Sequence, residues 1–386
     1  MSAQAIVFWL AVALILYTQV GYGALLALLA ALGGTRRPRA GAAGGGQDAE
    51  LPRVSVIVAA HNEQAVIGAR VANLRALAYP QERLEVIVAC DGATDATAAR
   101  AREAGADVVL ELPRGGKIRA QDAAVAAARG ELLAFSDANS SWEPDALGEL
   151  VAALSDPRVG YVCGQVSFTD ERGENQEGLY WRYEMWLRSL ESGLRSVTSG
   201  NGAIYATRRE AYMRVDPLAG HDLSFPFNMV KRGWLALYVP SARAHEKMAP
   251  SLEGEAARKR RMARRTWPTV FSGGLLSPRG YGALYALMIF SHRVLRYLVP
   301  FLHVIALAAN IALIGHGALY LATLALQLAL LFAALFARRV PARLSVARPL
   351  YLARYYVLTN WALAAGLFDW LRGERSPVWE TVEGTR

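Results

Sequence analysis

"VSVIVAAHNE", residues 54–63, decides the fold class. From Val54 to Ala60 the run is apolar apart from Ser55, is rich in β-branched side chains, and ends abruptly in His61, Asn62 and Glu63. A strand with one wet face alternates apolar with polar residues. A run without alternation belongs to a strand covered on both faces, as in a parallel sheet between helices. The pattern returns in "LEVIVAC" (84–90), "ADVVLEL" (106–112) and "ELLAFSD" (131–137), separated by alanine-rich helical stretches at 64–77, 94–104 and 119–129. This alternation predicts an α/β domain over 54–267, with a mostly parallel sheet, helices on both faces, and ligands beyond the carboxyl ends of the strands.

On either side of this domain the composition changes. The chain of 386 residues is 53% hydrophobic, high for a soluble protein, and Ile6 to Leu32 carries no charged residue. That exceeds the roughly 20 apolar residues that cross a bilayer core. Basic residues are absent before it and Arg36, Arg37 and Arg39 follow it, which argues against a secretory signal. The positive-inside tendency then places the domain in the cytoplasm, at a bacterial inner membrane. The expected plan is a transmembrane helix in 1–35, a Gly/Ala linker in 36–53, the domain in 54–267, interfacial helices in 268–297, transmembrane helices in 298–371 and a tail in 372–386. The segment 281–302 mixes apolar residues with His292, Arg293 and Arg296, as a helix at the membrane surface does. Tyr355 to Leu371 carries Asp369 and reads as a span or a re-entrant segment. The net charge of +9 concentrates beside the apolar spans and in Arg258 to Arg265, a distribution that suits a membrane surface and a polyphosphate ligand rather than nucleic acid. Cys90 and Cys163, far apart, indicate neither a disulfide framework nor a zinc site.

Chemistry concentrates at the strand ends. The first delivers Glu63, the second Asp91, and the last, in "SDANS" (136–140), delivers Asp137 and Asn139. One acid at a strand end is commonly a helix cap; three in succession at the ligand-binding edge point to a site. Asp137 and Asn139, two residues apart, can turn hard oxygen ligands toward one Mg2+ or Mn2+. Lys117 follows two glycines at a helix start, where backbone donors and an ammonium can approach phosphate. Asp222 opens the helical run "HDLSFPFNMVKRGW" (221–234), and "SGNGAIYA" (199–206) places Asn201 among small residues that let a ligand approach the backbone closely.

The segments "AAHNE", "CDGATDAT", "GGK", "SDAN", "SGNGAIYATRRE", "HDLSFPFNMVKRGW" and "RKRRM" occur in an order and spacing that resembles the catalytic domain of the family 2 inverting glycosyltransferases. With the flanking membrane segments the chain is similar to membrane-bound synthases of the hyaluronan, poly-N-acetylglucosamine and cellulose type. The resemblance implies a glycosyltransferase-A-type fold, and it implies that Ala60, Glu63, Asp91 and Lys117 hold a sugar nucleotide. Asp137 and Asn139 match the family's Asp-x-Asp metal site, with Asn in place of the second acid. Asp222 matches the catalytic base, and His221 replaces the acid that usually precedes it. Arg258 and Arg261 match the first and fourth positions of the Gln-x-x-Arg-Trp motif, Met262 stands where Trp is usual, and Trp267 is offered as the substitute aromatic surface.

The function implied is inverting transfer of a sugar from a UDP-sugar to a growing polysaccharide or a membrane lipid, with Mg2+ or Mn2+, and with an export or assembly partner if a polymer is made. Two rivals stand beside it: a lipid glycosyltransferase resembling ceramide glucosyltransferase, and a turnover-deficient membrane regulator that binds sugar nucleotides. Few spans and the missing Trp favour the first. Asn139 and His221 favour the second, and the retained Asp91, Asp137 and Asp222 oppose it.

Overall fold

Among the residues described by this computed structural model (2–34, 50–169, 178–247, 252–340 and 347–374), eight strands form one sheet. They are β1 (Val54–Ala60), β2 (Leu84–Asp91), β3 (Val108–Leu112), β4 (Leu132–Asp137), β5 (Ser141–Trp142), β6 (Val159–Thr169), β7 (Tyr205–Arg208) and β8 (Leu235–Lys247). Their order is β3-β2-β1-β4-β7-β6-β8-β5. β3, β2, β1 and β4 pair in parallel, as do β6 and β8; β7 runs antiparallel to both β4 and β6, and β5 is antiparallel to β8. The sheet is therefore mixed, although most strands point the same way.

The absence of alternation in β1 has the expected cause. Val54, Val56, Val58 and Ala60 pack into one apolar layer with Ile67, Val71, Leu74, Leu147 and Leu150, whereas Ile57 and Ala59 face a second layer with Ala120, Ala124, Phe225 and Met229. Helices Ile67–Arg75 and Ala146–Leu154 cover the first face, and Lys117–Ala127 and His221–Lys231 the second. Successive strand side chains point to opposite faces, so both faces demand apolar residues and the polar ones are displaced to the ends.

The chain divides into two compact units. The sheet and its helices belong to one, of residues 26–250 and 268–288. The other takes residues 1–25, 251–267 and 289–374. Among the described residues three helices are long and apolar enough to cross a membrane: Ala3–Gly33, Ala283–Ala312 and Ala318–Arg339. The second runs across the expected boundary at 297/298. Helix runs unbroken from Ala283, through a π-helical stretch at Phe290–Leu295, and the 30-residue whole is apolar enough to span despite His292, Arg293 and Arg296. Ser291 and His292 are buried against Tyr17 and Tyr22 of the first helix, which removes the polar groups from its surface.

The last helix, Ala347–Leu371, begins earlier than the sequence suggested, and its Asp369 is 2% exposed. Arg260, on helix Leu252–Phe271, binds that carboxylate with both arms of its guanidinium at 2.6 and 2.5 Å, and Arg264 approaches to 3.9 Å. Lys259 reaches the Tyr355 hydroxyl at 2.6 Å and Thr359 at 2.9 Å. The central part of the basic run is thus committed to the last helix. The expected linker and tail lie mostly outside the described residues, as do Arg36, Arg37, Arg39 and Arg343.

Packing between β6 and β8 generates a test. Their register shifts between Gly164 and Gln165, and a Cβ on Gly164 would overlap the Ala242 carbonyl oxygen. Gly164→Ala is expected to destabilise the fold by about 1–3 kcal/mol through overpacking. A lower thermal midpoint of the full chain in detergent checks it. Gly148→Ala, whose added Cβ meets nothing within 4 Å, is the control that leaves the midpoint unchanged or raised.

Candidate active site

Register fixes the centre of the site. Ala59 of β1 lies opposite Asp137 of β4, and Ala60 opposite Cys90 of β2, so Asp91 and Asp137 flank the end of β1 on either side. Ala60 itself is fully buried, and only its main chain can meet a ligand. Beyond it the backbone turns outward through Asn62, at φ +52°. Asn62 Oδ1 accepts from Thr94 N at 2.9 Å, Gln64 N donates to Asp95 Oδ2 at 3.1 Å, and Ala96 N donates to Gln64 Oε1 at 3.1 Å. Glu63, 7% exposed, donates its amide to Thr97 Oγ1 at 2.8 Å. The loops after β1 and β2 are therefore tied into one rim.

Asp91 is buried and already employed. Its carboxylate accepts from Gly115 N at 2.6 Å and Gly116 N at 3.0 Å, with Arg114 Nε 4.0 Å away. These bonds hold the turn at Gly116, φ +92°, that starts helix Lys117–Ala127 and aims Lys117 across the strand ends. Lys117 Nζ contacts Asp137 Oδ1 in an ion pair whose side chains are 22% and 28% exposed. Gly202 closes over this pair: a Cβ there would sit 3.2 Å from Lys117 Nζ and 3.4 Å from Asp137 Oδ2. Asn139 is half-buried two residues further on.

Asp222 occupies the first turn of helix His221–Lys231, where the helix dipole favours negative charge. Its carbonyl accepts from Gly200 N at 2.7 Å, and Gly200 O accepts from Arg188 Nη2 at 3.1 Å. Gly200 and Gly202 are two residues apart, a span of at most about 7 Å. One short segment ahead of β7 therefore meets the Asp222 main chain and the Lys117–Asp137 pair, while the strand register sets Asp91 on the other side of β1.

Other expected residues have different work. His221 is 4% exposed, with its ring stacked on Phe225 at 4.1 Å and edge-on to Phe135, Tyr205 and Tyr212. The Tyr205 hydroxyl, which burial keeps protonated, donates to His221 Nδ1 at 2.7 Å, and burial pushes the imidazole down to about 3. His221 is thus a neutral core residue and not an acceptor contact. Asn201 spends its amide on Gly164 O at 2.7 Å and Ile204 N at 2.9 Å, shaping the turn instead of facing a sugar. Trp267 is 1% exposed in the membrane-helix unit, donates to Leu363 O at 3.0 Å, and packs on Tyr297 and Phe301. It offers no aromatic surface. Arg258 and Arg261 lie on helix Leu252–Phe271 of that unit, where Arg258 binds Glu255 at 2.7 Å. The sequence reading missed Gly202, Arg188 and the buried Arg70; the paired glycines of "SGNG" were a signal for Gly202 alone.

Among the described residues no three His, Cys, Asp or Glu side chains gather for a metal. Asp137 and Asn139 offer one carboxylate and one amide oxygen. Such hard donors fit Mg2+ or Mn2+ provided that phosphate oxygens and water complete the coordination.

The sequence profile of Glycosyl transferase family 2 matches residues 55–236. An N-acetylglucosaminyltransferase of Rhizobium leguminosarum bv. trifolii is 33% identical over 128 residues, 31% of this chain and 70% of that protein. A beta-monoglucosyldiacylglycerol synthase of Nostoc sp. (strain PCC 7120 / SAG 25.82 / UTEX 2576) is 36% identical over 176 residues, 42% of this chain and 36% of that protein. Other curated relatives are matched over 30% to 57% of their length. The fold is similar to that of the mannosyltransferase PcManGT from Pyrobaculum calidifontis, solved with GDP-Man and Mn2+, at a TM-score of 0.71 and 22% identity over 96% of this chain and 100% of that one.

The buried imidazole makes stability depend on pH. Above its ordinary value of 6.5 neither the folded nor the unfolded chain holds the proton; below it the unfolded chain does, while the folded core stays neutral until about 3. Stability contributed by His221 is thus present above pH 6.5 and falls by about 1.4 kcal/mol per unit as pH drops below it. His221→Asn is expected to flatten the fall in unfolding free energy between about pH 6.5 and 5 by up to that slope, whatever its stability at pH 7, as read by denaturation at each pH.

Proposed function

The chain belongs to glycosyl transferase family 2, and we propose that it transfers a sugar from a UDP-sugar, with inversion, to a hydroxyl of a membrane lipid on the cytoplasmic side. The observation that carries this reading is the gathering of Asp91, Asp137 and Asp222 at one sheet edge, joined by the Gly200–Gly202 segment. In the proposed reaction the nucleotide rests on the rim formed by the loops after β1 and β2. Asp222 takes the proton of the acceptor hydroxyl as its oxygen attacks the anomeric carbon. The bond to the diphosphate breaks on the opposite face, and Lys117 leaves Asp137 to meet the developing phosphate charge. Asp137 and Asn139 would hold a divalent cation, which when bound offsets charge on the leaving group.

Three candidate spans, and Met262 in place of an aromatic residue in the arginine motif, support a lipid acceptor over a polymer threaded through one chain. The glucosyldiacylglycerol synthase relative supports it as well. The second reading is elongation of a polysaccharide; the N-acetylglucosaminyltransferase relative supports sugar transfer without naming an acceptor. Incubating the protein in nanodiscs with radiolabelled nucleotide sugars, and separating lipid-soluble from polymeric product, decides between them.

Asp222→Asn is expected to lower turnover by a factor of about 100 to 10,000 while leaving nucleotide affinity within a few fold. Equal losses in both would remove Asp222 as the base. Asp137→Ala should abolish the requirement for divalent cation together with most of the activity. Full wild-type turnover in excess chelator defeats the metal role.

A further inference from the structure

We propose that Arg188 is a positioning residue for the transfer: it holds the Gly200 carbonyl so that the Gly200 amide can fix the main chain of Asp222. This rests on the preceding reading of Asp222 as the base.

The need for an outside partner is built into helix His221–Lys231. A carbonyl in a helix ordinarily accepts from the amide four residues on; for Asp222 that residue is Pro226, which has no N–H. Proline inside a helix is costly, and Gly220 at the cap position makes no side-chain bond that would steady the first turn. Gly200 N, 2.7 Å from the Asp222 carbonyl oxygen, stands in for the missing donor. The Asp222 carboxylate folds back over Gly220, where an added Cβ would overlap its Oδ1. The main chain of this turn therefore sets where the carboxylate stands.

Gly200 is itself held from the other side. On helix Leu179–Leu194, Ser192 Oγ accepts from Tyr238 N of β8 at 2.9 Å, which fixes the helix to the sheet. From the same helix the buried Glu191 accepts from Thr198 N at 3.0 Å, and Arg188 Nη2 donates to Gly200 O at 3.1 Å. Arg188 is 9% exposed, with its guanidinium over the Tyr238 ring, 5.7 Å from the centroid. A charged donor on a carbonyl in so dry a setting makes a strong bond. One residue further on, Asn201 is tied to Gly164 O and Ile204 N, so Gly202 keeps its place over Lys117 and Asp137 without help from Arg188. Loss of Arg188 thus loosens the link to Asp222 and spares the donor edge.

Turnover of the full chain in nanodiscs tests this, read with radiolabelled UDP-glucose, UDP-N-acetylglucosamine or GDP-mannose, whichever the wild type uses fastest, beside calorimetric affinity for UDP and GDP. Arg188→Gln, whose shorter side chain falls short of Gly200 O, is expected to lower turnover roughly tenfold to a hundredfold and leave nucleotide affinity within about threefold, because a misplaced reacting group slows the chemistry and not donor binding. In Asp222→Asn no base remains to be misplaced, so the same change should lower the residual turnover by less than about threefold. A role confined to stability would lower both backgrounds alike. Pro226→Ala keeps the question open to measurement should Arg188→Gln fail to fold. Its new N–H competes with Gly200 for the Asp222 carbonyl, so turnover is expected to fall by about threefold or more while the thermal midpoint holds or rises. Normal turnover in either folded variant overturns the proposal, as does a loss of nucleotide affinity equal to the loss of turnover, or an equal loss in the Asp222→Asn background. Full turnover in Asp222→Asn alone removes the base and the proposal with it, and is told apart from the other outcomes by needing no change at Arg188.

Discussion

A sheet buried on both faces has nowhere to put a charged side chain except at the ends of its strands. Apart from Ser55 and Glu85, which bond each other at the opposite end, β1, β2 and β4 meet this constraint by running apolar to their last residues, and the charge released there is what the site is made from. Carboxylates so placed still need partners, because a half-buried charge without one is costly. Asp91 finds them in two backbone amides and Asp137 in an ammonium, and each partnership fixes the next element. The Asp91 turn launches the helix that carries Lys117, and Lys117 in turn returns to Asp137.

The antiparallel β7 supplies what a purely parallel sheet could not. Because it runs against β4, the residues ahead of it lie beyond the carboxyl end of β4, where a parallel neighbour would place the residues after it. Gly200 and Gly202 thereby reach Asp222 and Asp137 together, and only residues without side chains fit. A Cβ at Gly200 would overlap the Tyr161 hydroxyl, and one at Gly202 would press on the ion pair. Asp222 and Asp137 are thus linked by a few atoms of backbone.

Period and strand ends were legible in the sequence because they are local: non-alternating runs, terminal acids, and glycines ahead of Lys117. The acids at 91, 137 and 222 fall where that reading put them along the chain, and register brings the first two together. What the sequence could not give is which way a side chain turns. His221 and Asp222 are neighbours at the start of one helix, yet His221 enters the aromatic layer and Asp222 stays partly open. Asn201 looked like a ligand contact because an amide and a main-chain hydrogen bond use the same atoms. Arg70 sat unnoticed on an amphipathic helix, where an arginine ordinarily faces water. His292 suggested an interfacial helix because its burial against the first helix is a tertiary fact.

The bond between Arg260 and Asp369 joins residues 109 positions apart in the chain. A ribosome adding roughly 5–20 residues per second needs about 5–20 s to pass from one to the other. For that interval the arginine exists without its carboxylate, and helix Leu252–Phe271 cannot take its final packing. The unit built from the first and last helices is therefore the late product of synthesis, whereas the strands from Val54 to Lys247 have all their partners once Lys247 is made.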